Sequence, residues 1–306
     1  MELGKNYKNL VIDIWGKEGI SWLNNINAII DKYTKKFNLE NIKVRKELSI
    51  NILLDAYSKQ YGNIIIKMLT PGIISINEIK YINQLHLKKI VKCYYYNLDD
   101  RIMLLEKINP GYSLDKIKSM DERILVFKDI LADICDNTPS FVNQFPHLES
   151  KLYEKVQANN KYEEVISNLL KIAQDIYKQI KKCNYPKYVL HNDLHHGNIL
   201  KSLDGWKIID PQGTVGEKVF ETTQFIKEEL RLQKNDLNKL EFIITKISKF
   251  INEEKNLIYM ALFIQSTTKL LYYVKANYDE KTIAFNIDLC NYILERLKES
   301  KKEIRI

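Results

Sequence analysis

The sequence of 306 residues has few cysteines and no long apolar run, and both absences narrow the class of protein. Its 4 cysteines are scattered and form no C-x-x-C pair, which excludes a disulfide framework and predicts reduced thiols in a cytoplasmic protein. No apolar run reaches the roughly 18 residues of a membrane-spanning helix, and the N-terminal residues lack the apolar core of a signal peptide. We therefore expect a cytoplasmic protein without a membrane partner.

The formal net charge of +8 raises the question of a nucleic-acid partner, but the lysines form no dense basic run. We therefore expect no nucleic-acid partner. Residues 1–107 carry 17 basic and 11 acidic side chains, a surplus that suits a polyphosphate. Residues 188–230 carry 7 acidic side chains against 4 lysines, which suits a metal ion and a cationic or hydroxyl-bearing acceptor.

The most informative stretch runs from Tyr188 to Gly213 and reads Y-V-L-H-N-D-L-H-H-G-N-I-L-K-S-L-D-G-W-K-I-I-D-P-Q-G. A short apolar strand precedes a polar loop, and two further apolar strands flank an Asp-Gly pair, which is a strong hairpin signal. Asp193 and Asn198 have the D-x-x-x-x-N spacing of a kinase catalytic loop, and Asp210 follows the last strand.

Transfer of a phosphoryl group from ATP requires such a set of side chains. A carboxylate orients the attacking hydroxyl and takes its proton, and oxygen ligands hold Mg²⁺ against the phosphates. We therefore predict that Asp193 is the catalytic base and that Asn198 and Asp210 hold Mg²⁺. The predicted nucleotide is ATP, with GTP as the alternative.

Two other interpretations of this stretch compete with the kinase hypothesis. Asp, Asn, His and Gly are also common in ordinary turns. The cluster His191, Asp193, His195 and His196 is compatible with a zinc hydrolase, but zinc sites need further ligands and no histidine follows His196. Its order, H-x-D-x-H-H, also differs from the H-x-H-x-D-H of metallo-β-lactamase-like enzymes. We expect His191 to pack beneath the loop and hold its backbone.

The segments H-N-D-L-H-H-G-N-I-L, I-I-D-P-Q-G and V-G-E resemble the aminoglycoside phosphotransferase superfamily, closest to its streptomycin 6-kinase and hydroxyurea phosphotransferase branch. The double histidine and the I-D-P-x-G in place of D-F-G are characteristic of that branch. Asn192 replaces a residue that is usually glycine there, a departure expected to alter the flexibility of the loop.

This resemblance covers nearly the whole chain and implies an α+β, two-lobed, protein-kinase-like fold. The small antiparallel-sheet lobe, with a helical N-terminal extension, would comprise residues 1–107. The large, mainly helical lobe at 108–306 would carry the catalytic loop, the metal site and the acceptor pocket. The implied activity is ATP-dependent phosphorylation of a small-molecule hydroxyl, most simply on an aminoglycoside such as streptomycin, by a monomer or weak dimer.

Within residues 1–107, helical spacing predicts two helices between residues 7 and 37, broken near Gly16 and Gly19. Strands are predicted at Ile42–Glu47, Ser49–Ala56 and Asn63–Leu69. The turn before Asn63 holds a single glycine, so the G-x-G-x-x-G of protein kinases is absent at the place expected for a phosphate-covering loop. Lys67 is predicted to bind the phosphates, steadied by Glu78 from the next helix.

A predicted hairpin, Val91–Tyr96 with Ile102–Glu106, leads into an extended connector. The resemblance makes the backbone groups of Glu106 and Ile108 the candidates for binding adenine. It also assigns Glu221 to supporting the backbone of the catalytic loop. Glu217 would either face an amine of the substrate or cap a helix. The remaining elements are predicted helices at Asp115–Cys135, Tyr162–Cys183, Val219–Leu232, Asp236–Ile251, Asn256–Ala276 and Lys281–Lys298, with a looser segment at 136–160.

Three rival functions remain open on sequence. A protein kinase would have H-R-D, D-F-G, A-P-E and a glycine-rich loop, whereas this chain has H-N-D and D-P-Q and lacks the other two. A metabolic kinase acting on choline, homoserine or a thiosugar would share the same motifs. A non-catalytic kinase-fold binding protein is disfavoured because the base and metal positions are all filled.

Overall fold

The computed structural model describes residues 3–45, 50–154 and 160–303. None of the described helices is long and apolar enough to cross a membrane. The strands are β1 (Leu39–Val44), β2 (Ile52–Ser58), β3 (Gly62–Met68), β4 (Cys93–Asn97), β5 (Ile102–Glu106), β6 (Pro110–Ser113), β7 (Lys187–Leu190), β8 (Ile199–Ser202), β9 (Gly205–Ile208) and β10 (Thr214–Glu217). The α-helices are α1 (Lys5–Phe37), α2 (Ile73–Gln84), α3 (Met120–Asn137), α4 (Glu163–Lys182), α5 (Thr222–Leu232), α6 (Leu240–Ile251), α7 (Lys255–Lys275) and α8 (Glu280–Glu303).

The chain divides into two compact units, and the division differs from the predicted boundary between residues 107 and 108. The first unit contains the chain up to Leu114 together with Ile199–Gly213. The second contains Asp115–Asn198 and the chain from Thr214 onward. The hairpin after the catalytic loop therefore belongs to the first unit, although the loop itself belongs to the second.

The first unit contains an antiparallel five-stranded sheet with the strand order β1-β2-β3-β5-β4. Side chains alternate between the two faces of a strand, so β3 presents Ile64, Ile66 and Met68 to one face and Ile65 and Lys67 to the other. The first face packs against α1 in the larger apolar core of this unit. Ile65 lies in a second apolar cluster that also contains residues of α2. Lys67 is thereby held on the α2 side of the sheet.

The predicted break in the N-terminal helical segment is present at Gly16, which has the non-helical angles φ 51° and ψ −126°. Gly19 is helical, and a side chain there would approach the carbonyl oxygen of Val11 to 2.6 Å. The first predicted strand begins earlier than expected, at Leu39, and of the predicted strand residues Lys46, Glu47 and Ser49 lie outside the described part of the chain.

The hairpin predicted after the catalytic loop is formed by β8 and β9, and it pairs on its other side with β6. The apolar strand before the loop, β7, does not join this sheet. It pairs instead with β10 of the second unit, with Thr214 opposite Leu190 and Glu217 opposite Lys187. The pattern had not predicted β10, whose 4 residues are too few for a visible alternation.

The second unit is mainly helical, and α3 to α8 correspond to the six helices predicted from 3.6-residue periodicity. The looser segment at 136–160 forms short 3₁₀ helices at Pro139–Gln144 and Leu148–Tyr153, and its residues 155–159 lie outside the described part. Phe127 of α3 packs against Phe225 of α5 with ring centroids 4.4 Å apart. These helices bury the side chains around which the catalytic loop is held.

Replacing Leu104 with alanine tests the sheet core, because Leu104 on β5 is fully buried. Loss of its methyl groups and the resulting cavity should lower the free energy of unfolding by about 2–5 kcal/mol. Leu203, which is 84% exposed, provides the matched control, and Leu203→Ala should change that free energy by less than about 0.5 kcal/mol. Urea denaturation followed by circular dichroism measures both. Equal effects of the two substitutions would contradict the described core.

Candidate active site

Three charged side chains meet inside the first unit. The Nζ atom of Lys67 lies 2.5 Å from Oε1 of Glu78 and 2.8 Å from Oδ1 of Asp210. Lys67 is only 1% exposed. Burial lowers the pKa of its ammonium, but the carboxylates of Asp210 and Glu78 outweigh burial, so the net shift is upward. Lys67 is therefore a fixed positive charge, joined to one carboxylate of α2 and one that follows β9.

Asp210 differs from Glu78 in its exposure and in its backbone. Its side chain is 42% exposed, whereas Glu78 is buried. Asp210 has a φ of 60°, in the left-handed region that few residues other than glycine adopt without cost. Strained backbone of this kind often occurs at functional sites, where the surrounding structure maintains it.

The turn between β2 and β3 does not lie where a phosphate-covering loop was predicted. Ser58 pairs with Gly62 at this turn, but Lys67 pairs with Leu53, which is five residues further along β2. At about 3.4 Å per residue the turn is roughly 17 Å from Lys67 along the strands. Val44, the last residue of β1, pairs with Leu54, so β1 ends near the Leu53–Lys67 pair; residues 46–49 lie outside the described part.

The predicted adenine-binding segment begins at the end of β5. The backbone N–H of Glu106 donates to Lys92 O at 2.9 Å. Its Oε1 accepts from Lys92 N and from Lys207 Nζ, each at 2.7 Å. Ile108 is half-buried and packs against the apolar cluster that contains Ile65. Because the Glu106 N–H is used within the sheet, adenine recognition here would involve the carbonyl of Glu106 and the backbone of Ile108.

The catalytic loop of the second unit is attached at its start to Glu221. The carboxylate of Glu221 accepts hydrogen bonds from the backbone N–H groups of His191 at 2.6 Å and Asn192 at 3.0 Å. Burial raises the pKa of Glu221 to about 8, while these two N–H groups oppose the shift by stabilising the carboxylate. His191 is fully buried, and its Nδ1 accepts from the N–H of Asp193 at 3.3 Å. Both side chains thus contact the backbone that they were predicted to support.

Asn192 has a φ of 62°, which explains why glycine is usual at this position in the resembled branch. Asparagine is one of the few side chains that adopt the left-handed region readily. Its Oδ1 also accepts a hydrogen bond from Gln265 Nε2 of α7 at 2.7 Å. The departure from glycine therefore adds an anchor between the loop and α7, a contact that the sequence pattern had not indicated.

Asp193 follows Asn192 and is partly accessible, with 26% of its side chain exposed. His195 lies beside it, with Nε2 4.0 Å from Oδ2 of Asp193. The loop closes on itself, because Asn198 Nδ2 donates to the backbone carbonyl of Asp193 at 3.0 Å. This bond orients the Asn198 carboxamide, so that Oδ1 is the atom able to serve as a ligand.

A buried charged network, which sequence reasoning missed, holds the middle of the loop. Nε2 of His196 lies 2.8 Å from Oε1 of Glu229, and the His196 ring stacks on Phe225 at 4.5 Å. Arg123 contacts both carboxylate oxygens of Glu229, from Nε at 2.7 Å and from Nη2 at 2.5 Å. The available signal was a charged residue on an apolar helix face: Glu229 lies between Ile226 and Leu230, and Arg123 precedes Ile124.

Glu217, the tentative substrate residue, does not lie near Asp193. It ends β10 opposite Lys187, whereas the catalytic loop begins at the other end of this strand pair, where Thr214 faces Leu190. Three residues of strand separate the two ends by about 10 Å. Burial raises the pKa of Glu217, and its Oε2 has no hydrogen-bond partner among the described residues. Glu217 lies at the start of the 3₁₀ helix Lys218–Glu221 but its side chain makes no capping hydrogen bond there, so contact with an amine of the substrate stays a prediction.

Three of the seven acidic side chains in residues 188–230 are buried. Glu217, Glu221 and Glu229 are each at most 3% exposed, and the latter two are hydrogen-bonded within the second unit. The predicted attraction for a cationic acceptor therefore cannot come from these three carboxylates.

The residues proposed for a metal have the chemistry that Mg²⁺ requires. Carboxamide and carboxylate oxygens are hard ligands, and Mg²⁺ usually takes one or two such groups together with water and substrate phosphates. In the sequence, Asn198 directly precedes β8 and Asp210 follows the end of β9 by two residues. For zinc, the described residues bring together no group of three or more His, Cys, Asp and Glu side chains that could hold a metal ion.

Residues 80–250 match the model of a family described as aminoglycoside/hydroxyurea antibiotic resistance kinases. The matched segment is more than half of the chain. It includes the C-terminal part of α2, the catalytic loop and Asp210. No curated protein sequence matches this chain.

Several solved structures have the same fold. Choline kinase LicA from Streptococcus pneumoniae is 16% identical, with a TM-score of 0.61 over 90% of this chain and 99% of that kinase. Aminoglycoside phosphotransferase APH(4)-Ia is 10% identical, with a TM-score of 0.61 over 88% and 98%. The Plasmodium vivax ethanolamine kinase is 14% identical, with a TM-score of 0.58 over 98% and 95%.

At these identities the likeness establishes the fold, and it confirms the predicted α+β kinase-like architecture with an antiparallel sheet and a mainly helical part. The family model adds the reaction class, because its members are kinases of small molecules. The chain therefore belongs to the family of aminoglycoside/hydroxyurea antibiotic resistance kinases and is a small-molecule phosphotransferase.

Proposed function

We propose that this protein transfers the γ-phosphoryl group of Mg²⁺-bound ATP to a hydroxyl group of a small molecule, with Asp193 as the catalytic base. The observation that carries the proposal is the catalytic loop. Asp193 is partly accessible, and the loop backbone on both sides of it is fixed by Glu221 and Asn198. A carboxylate held in this way can accept the proton of an acceptor hydroxyl as the oxygen attacks phosphorus.

Lys67 and Glu78 would position the phosphates. The ammonium of Lys67 is buried and fixed, so it can bind phosphate oxygens without losing much conformational entropy. Its contact with Asp210 joins the phosphate-binding charge to one of the two proposed metal ligands. A Mg²⁺ ion held by Asn198 and Asp210 would neutralise charge that develops on the transferred group.

The proposed nucleotide is ATP. The solved structures with this fold include LicA in complex with AMP and an APH(4)-Ia ternary complex with ADP and hygromycin B, which supports nucleotide binding by the fold. In this chain the carbonyl of Glu106 and the N–H of Ile108 are the proposed partners of adenine. The same backbone groups could also form hydrogen bonds with the guanine base of GTP if that base were bound in a shifted position.

An aminoglycoside such as streptomycin is the acceptor that family membership favours. The support comes from the sequence motifs and the family model. Three of the seven acidic side chains of residues 188–230 are buried, so the acidic surplus adds little to this support.

A metabolic small-molecule kinase is the second candidate, and the lysines near Asp193 favour it. Gln265 contacts the loop, and Lys269 follows it one turn later on the same face of α7. Burial and then the Lys269 ammonium lower the pKa of Lys151, while Glu154 and then Asp193 oppose the shift. Positive charge at this place would favour a neutral acceptor, such as a thiosugar, over a polycation.

The Asp193→Asn variant tests the base. Turnover should fall by on the order of 10²–10⁴-fold, because the amide cannot accept the proton, while ATP affinity and the melting temperature should change little. ADP release by a coupled assay measures turnover, and Asp121→Asn, at an exposed position paired with Lys246, is the control. Undiminished turnover in the Asp193 variant would remove its assignment as base.

The Glu78→Gln variant tests the phosphate-binding lysine. Loss of the charge-assisted bond to Lys67 costs about 1.5–3 kcal/mol, so the dissociation constant of ATP should rise roughly 10- to 100-fold. The control is Glu40→Gln. Glu40 forms an exposed ion pair with Lys59 in the same sheet, so this substitution should leave ATP binding unchanged. Isothermal titration calorimetry measures both variants. Unaltered affinity in the Glu78 variant would exclude its role beside Lys67.

The acceptor is identified by ADP release with a panel of streptomycin, hygromycin B, hydroxyurea, choline, ethanolamine, homoserine and a thiosugar. Turnover with streptomycin and none of the metabolites would establish the resistance function. Turnover with a neutral metabolite would establish the second candidate. If the protein bound no ATP under any condition, the kinase proposal would be wrong.

A further inference from the structure

The contacts that attach the catalytic loop to the rest of the second unit differ in kind. At its start, Glu221 holds backbone N–H groups, so this contact does not depend on which side chains the loop carries. Between Asp193 and Asn198, the attachment is a loop side chain, because His196 contacts Glu229 through Nε2. The position of the second half of the loop is therefore set by the identity of residue 196.

We propose that the buried network His196–Glu229–Arg123 positions the segment from Asp193 to Asn198 for phosphoryl transfer, with His196 as the positioning residue. This inference rests on the proposed kinase function. It assigns roles to three residues that touch neither substrate nor the reacting atoms. His196 and Glu229 are fully buried and Arg123 is 3% exposed, so solvent does not share these contacts.

The network is rigid because each member is fixed by more than one contact. Arg123 holds both oxygens of Glu229 and also donates from Nη1 to the carbonyls of Ile117 at 2.6 Å and Lys118 at 2.9 Å. A paired guanidinium and carboxylate with this geometry has little freedom to rotate. The segment before α3 and the helix α5 are therefore joined at Glu229, and His196 is bound to that junction.

The charges of the network also orient the histidine ring. Burial raises the pKa of Glu229, but the bonds from Arg123 and His196 outweigh burial and lower it, so Glu229 is a carboxylate. A carboxylate accepts, and Nε2 of His196 must then donate. Stacking on Phe225 also fixes the plane of the His196 ring. Both contacts resist rotation of the loop between the proposed base and the proposed metal ligand.

Stability alone would not explain an ionic network at this place. Replacing a buried ion pair by apolar side chains of similar volume is often neutral or stabilising. Such a pair is more useful where it fixes one geometry among several, and the two groups that require fixing here lie three residues before and two residues after His196. A displacement of about 1 Å in a catalytic group can cost on the order of 100-fold in rate.

The experiment compares His196→Phe, His196→Gln and the control His147→Gln in the full-length protein. Phenylalanine can keep the stacking on Phe225 but cannot donate to Glu229, whereas the side-chain amide of glutamine can replace the Nε2–H donor. His147 is exposed and outside the network. ATP affinity is measured by calorimetry with EDTA and with Mg²⁺, and turnover is measured with the acceptor found in the panel.

His196→Phe should bind ATP with wild-type affinity in EDTA, since Lys67 and Glu78 are unchanged. It should lose most of the gain in affinity that Mg²⁺ gives the wild type, and its kcat should fall roughly 10- to 100-fold. His196→Gln should restore most of both quantities, and His147→Gln should match the wild type. Combined with Asp193→Asn, His196→Phe should cost little further turnover, because the two substitutions disable one unit.

A folded His196→Phe protein with a wild-type Mg²⁺ response and wild-type kcat would overturn the inference and leave the kinase function intact. Failure of the wild type to bind ATP would instead overturn the kinase function, and this inference with it. If His196→Phe does not fold, Arg123→Lys serves, because it keeps the charge beside Glu229 but loses the two-point contact. It should show the same pattern to a smaller degree, and a wild-type Mg²⁺ response would again overturn the inference.

Discussion

The geometry of the catalytic loop depends on one constraint, which is that a carboxylate removed from water must be given hydrogen bonds by the protein. Glu221 and Glu229 are both buried in the second unit, and each meets this requirement with groups that belong to the loop or to its supports. Glu221 takes two consecutive backbone N–H groups, and Glu229 takes a histidine and an arginine. The loop is held in place because moving it would leave one of these buried acidic side chains without its hydrogen-bond partners.

The requirement that a buried charged group have partners within the protein also applies to a cation in the first unit. Lys67 is a buried cation, and its two carboxylate partners come from parts of the sequence that are far apart, α2 and the end of β9. Their positions follow from the sheet, because the strand alternation that buries Ile64 and Ile66 toward α1 necessarily places Lys67 on the opposite face. An apolar core thus determines where the buried ammonium of Lys67 lies.

Local patterns predicted the helices and most strands, and they indicated the reaction class. Three consecutive isoleucines before Lys67 indicated a buried strand, and the spacing of Asp193, Asn198 and Asp210 indicated a kinase. The pairing of Lys67 with Glu78 was also accessible, since one follows the other at the start of the next helix.

What local patterns could not provide were contacts between distant segments. Arg123 and Glu229 are 106 residues apart, and no periodicity connects them. The strand register could not be predicted either. The turn at 59–61 was the predicted place for a phosphate-covering loop, but the pairing of Leu53 with Lys67 places this turn at the other end of the strand. The position of Glu217 was equally unpredictable, because it depends on the pairing of β7 with β10.

The first unit is formed by two separate segments of the chain, and this limits the positions at which the gene can be divided. The strands β8 and β9 complete the sheet that β6 begins, and Asp210 completes the partners of Lys67, yet both come from residues 199–213. A fragment that ends at Leu114 would leave β6 with an open edge and Lys67 with Glu78 alone. The two units are therefore compact in space but not separable as pieces of sequence, so recombination that exchanges one of them must preserve a 15-residue insertion within the other.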